Sequence, residues 1–184
     1  PAAPVRVALT TPEGVIELEL YPDKAPITVA NFLRYVDRKL YDGASFYRAS
    51  RPAGAPSADY GLLQGGLRDD ATRMLAPIAH EPTTKTGLSH TDGTISLGRF
   101  APGTAKSDFF ICIGDQTYLD ADPKAPGDNL GFAAFGKVVS GMEVAKKILA
   151  MPVDPNAGKG TMKGEILRQP VKITTARRVA AAPA

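Results

Sequence analysis

Apolar residues in this chain come in short runs, each closed within a few residues by Gly, Pro or Asp. The clearest case is at the start. Val5, Val7 and Leu9 alternate with Arg6, Ala8 and Thr10. After Thr11-Pro12-Glu13-Gly14, Ile16, Leu18 and Leu20 alternate with Glu17 and Glu19. Period two on both sides of a Pro/Gly turn predicts a β-hairpin with one wet face. Further short strands are predicted over Ala44–Ala49, Leu62–Gln64, Gly93–Leu97, Phe109–Ile113, Phe132–Val139 and Val171–Thr175. Many short strands and few helices point to a closed antiparallel barrel or a sandwich, with first and last strands paired to remove exposed edges.

The period changes in two places. Val29, Phe32, Leu33, Val36 and Leu40 follow Pro26 at helical spacing, with Asp42-Gly43 as the stop. Proline suits the first helical position, where its missing N–H would be unpaired anyway. A second helix is predicted over Met142–Ala150, with Lys146 and Lys147 at its C-terminal end. Loops are expected at Arg51–Tyr60, Asp115–Asn129 and Pro152–Gly164. The 184 residues fit one domain, placed at 5–176, with tails at 1–4 and 177–184.

Composition excludes several kinds of chemistry. One cysteine, Cys112, rules out an internal disulfide and any Cys-based zinc cluster. His80 and His90 are ten residues apart, which is not a helical metal pair. A net charge of +3 is too weak to argue for nucleic acid or a membrane surface. No apolar run approaches the roughly 20 residues of a transmembrane helix. Pro1-Ala2-Ala3-Pro4 fits a trimmed leader and equally a natural start, which leaves periplasm and cytoplasm both open.

The familiar catalytic signatures fail too. Neither a GxSxG elbow nor a phosphate-binding glycine loop occurs. Ser89-His90-Thr91-Asp92 holds the residue types of a hydrolytic triad, but a triad is defined by geometry. A polar turn leading into Gly93 is the simpler reading. Asp115, Asp120, Asp122 and Asp128 lack calcium-loop spacing and read as a solvated loop. His80 and His90 read as polar loop residues, and Cys112 as buried filling.

Five local patterns remain, in this order: Phe46-Tyr47-Arg48, Leu62-Leu63-Gln64-Gly65-Gly66, Gly93-Thr94-Ile95-Ser96-Leu97, Ser107-Asp108-Phe109-Phe110-Ile111 and Phe135-Gly136-Lys137-Val138. Together with Ala30-Asn31-Phe32 and Gly141-Met142, they resemble the cyclophilin family of peptidyl-prolyl cis–trans isomerases from about Val5 to Ile173. The resemblance implies a closed antiparallel eight-stranded β-barrel capped by two α-helices. It implies an isomerase acting on X–Pro bonds in peptides and in unfolded or partly folded proteins, as a monomer without cofactor or metal. Strand alternation is compatible: Arg48, Gln64, Asp108 and Phe110 can share a wet face, with Phe46 on the side of Arg48.

By the same resemblance, Arg48 matches the catalytic arginine and Gln64 the glutamine that holds substrate backbone. Phe110 matches the floor of the proline pocket, and Leu62 and Leu119 its walls. The main chain at Arg99 matches the segment that pairs with an extended peptide. Phe46, Asp108 and Phe132 complete the expected binding set. The chain also departs from the family pattern. Tyr47 and Phe132 stand where histidine is usual, Asp108 replaces a glutamine, and Gly61 an aromatic residue beside Tyr60. Arg99 and Phe100 replace small residues, and Arg51–Tyr60 lengthens a loop. Tyr118 stands where tryptophan is frequent, which implies weak cyclosporin binding. Asp108 is close enough in sequence pattern to pair with Arg48. Two other readings are a non-enzymatic peptide-binding or chaperone module on the same barrel, and a hydrolase using His90 and Asp92.

Overall fold

The computed structural model describes residues 3–51, 59–68, 70–124 and 129–180. Most of the Arg51–Tyr60 loop, together with Asp128 and residues 181–184, lies outside the described residues. The fold is mainly β. Ten strands form one antiparallel sheet in the order β10-β1-β2-β7-β5-β6-β4-β3-β9-β8. They are β1 (Val5–Thr11), β2 (Gly14–Leu20), β3 (Ser45–Ser50), β4 (Gly61–Gly66), β5 (Thr94–Leu97), β6 (Phe109–Ile113), β7 (Ala133–Ser140), β8 (Val153–Asp154), β9 (Ile166–Lys172) and β10 (Thr175–Val179). Three helices accompany them: α1 (Pro26–Asp37), α2 (Thr83–Thr86) and α3 (Met142–Leu149).

The strand count is therefore ten, not eight, among the described residues, and the paired ladder ends at β10 and β8 without joining its ends. The expected last strand splits in two. Ile173 donates from its N–H to the Ala44 carbonyl at 2.7 Å, and Thr174 to the Thr10 carbonyl at 2.8 Å. Successive residues thus turn from the β3 side of the sheet to the β1 side. Arg177 and Arg178 lie within β10, paired with Ala8 and Val7, rather than in a loose tail. Arg177 also forms an ion pair with Asp42 at 2.7 Å, whose carboxyl it holds below the usual range.

The amphipathic stripe of α1 buries Val29, Phe32, Leu33 and Val36, whereas Leu40 lies beyond the helix. The helix ends at Asp37, short of the Asp42-Gly43 stop, and Lys39 follows with φ +58°. Ala25 and Pro26 offer no side-chain cap for its first N–H groups. Glu81 supplies one from 53 residues away, its carboxylate accepting from the Thr28 N–H at 2.7 Å. It also accepts from the Thr28 hydroxyl at 2.6 Å. A carboxylate there meets both the orphan donors and the positive helix end. Phe32 packs edge-on against Phe109 and tilted against Tyr41 and Phe135, fixing the helix over the inner face of the sheet. Among the described residues no helix is long and apolar enough to cross a membrane.

Candidate active site

One row of side chains crosses the outer face of the sheet. Residues directly opposite one another in an antiparallel ladder point the same way. Arg48 pairs with Gln64, Gln64 with Phe110, and Phe110 with Ser96. Arg48, Gln64, Phe110 and Ser96 therefore form a transverse line on β3, β4, β6 and β5. Phe109 and Ile111 point the other way into the core, fully buried.

The position of Arg48 in that row depends on a bulge. Phe46 pairs with Gly65 but Arg48 pairs with Gln64, which leaves Tyr47 as an extra residue. An inserted residue reverses the alternation downstream. Phe46 is consequently a core residue with no exposure, edge-on to Phe109 at 5.8 Å, and takes no part in the outer face. The expected shared face of Phe46 and Arg48 is corrected by this bulge. Tyr47 gains an outward role instead.

A cavity of about 700 Å³ lies over the row. Phe110, Leu62, Leu119 and Phe132 line it with apolar surface, and Arg48, Gln64, Asp108 and Arg99 with polar groups. Arg68, Met74 and Met162, none of them singled out by the sequence pattern, extend its rim together with Phe100, one of the departures from the family pattern. Phe132 stands edge-on to Phe110 at 5.3 Å. The Arg99 guanidinium lies over the Phe132 ring at 5.2 Å and donates from Nε to the Gly131 carbonyl at 2.8 Å. Arg99 thus contributes its side chain to the wall. Gly61 is not an open slot where an aromatic ring is missing. A Cβ there would fall 2.3 Å from the Ser50 carbonyl oxygen, so the backbone leaves no room. The neighbouring Tyr60 donates its hydroxyl to the Asp115 carbonyl and does not line the cavity.

Arg48 is held at both ends of its guanidinium. Nη1 donates to Gln64 Oε1 at 2.9 Å. Nε and Nη2 donate to Glu165 Oε1 at 3.0 and 2.6 Å. A guanidinium has five N–H donors. Among the described residues three are used, leaving one on each Nη atom. Gln64 Nε2 donates onward to the Tyr47 hydroxyl at 2.9 Å, and that hydroxyl donates to Asp108 Oδ2 at 2.7 Å. Burial and the Asp108 charge raise the Tyr47 pKa, so the phenol stays a donor. The acid on Arg48 is Glu165, not Asp108. Asp108 turns instead to Tyr47 and to the Arg68 backbone N–H at 3.1 Å. Sequence spacing gave no sign of Glu165, which lies 117 residues from Arg48.

At the other end of the row, His90 is fully buried rather than a loop residue in water. Its ring stacks on Phe110 at 6.0 Å with a 16° interplanar angle. Nδ1 meets Asp120 Oδ1 at 2.5 Å and Nε2 meets Ser96 Oγ at 2.9 Å. Ser89 also donates to Asp120. Burial lowers the His90 pKa against the upward pull of Asp120. A neutral ring can donate from Nδ1 to the carboxylate and accept from Ser96 at Nε2. Asp92 belongs elsewhere: it accepts from the Gly114 N–H at 2.7 Å. The proposed His90–Asp92 pairing is thereby corrected. Cys112 is buried, its thiol pushed up to about 12 by desolvation, so it is inert filling. Among the described residues no group of three or more His, Cys, Asp or Glu could hold a metal ion.

An apolar hollow of this size beside a fixed cation fits the five-motif resemblance. The sequence matches the family described as Cyclophilin type peptidyl-prolyl cis-trans isomerase/CLD over residues 6–178. The chain belongs to the cyclophilin family. It is 36% identical over 173 residues to a peptidyl-prolyl cis-trans isomerase of Acinetobacter baylyi, covering 91% of this chain and 81% of that protein. It is 39% identical over 148 residues to peptidyl-prolyl cis-trans isomerase A of Dickeya dadantii, covering 77% and 70%. A crystal structure of a Cryptosporidium parvum cyclophilin, determined in the presence of the dipeptide Ala-Pro, has the same fold. Its TM-score is 0.74 at 18% identity, covering 96% of this chain and 99% of that one. This cyclophilin shares with its relatives the named activity, peptidyl-prolyl cis-trans isomerisation.

Proposed function

We propose that this cyclophilin accelerates rotation about X–Pro bonds in peptides and in unfolded or partly folded proteins, with Arg48 stabilising the twisted amide. The observation that carries this reading is the placement of a restrained guanidinium, two donors unspent, on the wall of an apolar cavity floored by Phe110.

The chemistry follows from the amide. Resonance holds the peptide planar, and the barrier to rotation is about 18–20 kcal/mol. Twisting the C–N bond breaks the resonance and returns the lone pair to nitrogen. The nitrogen becomes a hydrogen-bond acceptor only near the top of the barrier. A fixed N–H donor at that point binds the twisted form more tightly than either planar form, which is what lowers a barrier. The proline ring is rigid and apolar, suiting Phe110, Leu62 and Leu119. With the ring seated, the carbonyl side of the bond is what turns. Gln64 keeps Nη1 in place and can restrain substrate backbone. Arg99, Asp108 and Phe132 shape the cavity around the flanking residues. The same reading carries weak cyclosporin affinity, because Tyr118 lies at the rim where the family often has tryptophan.

Refolding of a proline-limited protein, followed with wild type and Arg48→Ala, tests the reading. Wild type should speed the slow phase, and the variant should lose about a hundredfold or more of that acceleration while keeping its circular dichroism. Equal acceleration by the two proteins would refute the role of Arg48.

A further inference from the structure

Glu165 is built into the fold as firmly as Arg48. It stands between the 3-10 turn at Gly160–Met162 and the start of β9. Its N–H donates to the Met162 carbonyl at 3.0 Å, and its carbonyl accepts from the Ala49 N–H at 2.9 Å. Its side chain is anchored at both oxygens. Oε1 takes the Nε and Nη2 donors of Arg48, and Oε2 accepts from the Ser50 hydroxyl at 2.7 Å. Arg48 faces the proline cavity. Glu165 lines an adjoining hollow of about 400 Å³ with Ser50, Gly61 and Gln116, which shares Leu62 and Tyr118 with that cavity. The carboxylate, which does not line the proline cavity, therefore grips the guanidinium by its Nε–Nη2 edge.

Two effects of this contact oppose each other. The carboxylate offsets the charge of the arginine, which weakens its field at the reacting nitrogen. It also removes rotamer freedom from a long side chain before substrate arrives. The twisted amide needs a donor at one point in space, and a displacement of one ångström there is costly. Orientation is therefore the larger effect.

We infer that Glu165 is a positioning residue of the isomerase site, holding Arg48 by its Nε–Nη2 edge so that the outer N–H groups meet the substrate nitrogen. This rests on the role proposed for Arg48. Ser50 is the second link, fixing the carboxylate that fixes the arginine.

The test compares wild type, Glu165→Gln, Glu165→Ala and Ser50→Ala by exchange spectroscopy on a peptide with a single X–Pro bond. Peptide affinity and bound-state exchange are read separately, and the Arg48 Nε–H resonance is followed in parallel. Glutamine keeps an oxygen for Nε and Nη2, so Glu165→Gln should stay within about threefold of wild type. Glu165→Ala should lose about tenfold to a hundredfold in exchange at unchanged affinity, with the Arg48 Nε–H signal broadened away. Ser50→Ala, which leaves the ion pair intact, should fall between the two. Wild-type exchange in Glu165→Ala, a gain in exchange, or equal losses in the alanine and glutamine variants would overturn the proposal. No exchange in wild type would instead sink the isomerase reading, while the Nε–H signal would still report whether Glu165 holds Arg48.

Discussion

The two ends of the transverse row hold similar chemistry with opposite access. At one end Arg48 contacts Glu165 at 2.6 Å, and the two side chains are 18% and 23% exposed. At the other, His90 contacts Asp120 at 2.5 Å, and the His90 side chain has no exposure. Ser96, His90 and Asp120 even stand in the order of a hydrolytic triad. A nucleophilic hydroxyl needs room for a carbonyl carbon about 3 Å away. Ser96 has none, being fully buried. Access, not residue type, separates a reactive constellation from a structural one here. The sealed end has its own use. The His90 ring backs Phe110, so the proposed floor for the substrate proline rests on a hydrogen-bonded layer.

This contrast can be broken at Phe110, which belongs to both ends. Phe110→Ala should destabilise the fold by about 3 kcal/mol or more, as other large-to-small changes at buried aromatics do. It should also cost roughly tenfold or more in kcat/KM, because the ring under the substrate proline is lost. Chemical denaturation and a proline-peptide assay on the same preparation would separate the two effects. Loss of stability with full activity would mean that Phe110 serves only the sealed end.

Ser96→Ala sharpens the comparison. It leaves His90 Nε2 buried without its donor, so unfolding free energy should fall by about 1–2 kcal/mol. Isomerase activity should stay within about threefold, since Arg48 and Gln64 are untouched. A fluorophosphonate probe should leave wild type unlabelled. Labelling at Ser96 would show an entry path and revive the hydrolase reading.

The smallest effect expected is in pH dependence. The folded His90 pKa lies below that of an unfolded histidine, near 6.5, because burial disfavours the charged ring. The unfolded chain then binds more protons as pH falls. Stability contributed by neutral His90 is complete above about pH 6.5 and declines below it, by at most about 1.4 kcal/mol per pH unit. Asp120 is held below the usual carboxylate range by Ser89 and His90 despite its burial, so its own loss begins only in more acidic solution. Denaturation midpoints between pH 7 and pH 5 should therefore fall in wild type and flatten in His90→Gln. Parallel slopes would assign the effect to another group.

The sequence pattern was a good guide where physics is local. Alternation marked the hairpin of β1 and β2, and helical spacing marked α1 and α3, because each depends on near neighbours. The row members Gln64 and Phe110 were legible through the family resemblance, with which period two is compatible, and the pairing of β4 with β6 places them opposite each other. Phe46 was misplaced because the bulge at Tyr47 is a product of pairing with β4 and β9, not of the dipeptide itself. Glu165 was invisible because nothing near it in the chain hints at an arginine 117 residues away. His90 looked like a turn residue because its partner Asp120 lies thirty positions on, in a loop whose acids seemed merely solvated. The tenth strand escaped notice because Arg177 and Arg178 look like a polar tail until their ion pairs with Asp42 and Asp37 are formed.

The most direct test of the account asks whether Arg48 acts on the transition state rather than on the bound peptide. In Arg48→Ala, the dissociation constant for an X–Pro peptide should change by less than about threefold, while cis–trans exchange of the bound peptide falls at least a hundredfold. Exchange that persists at the wild-type rate, or that falls only in step with affinity, would contradict it.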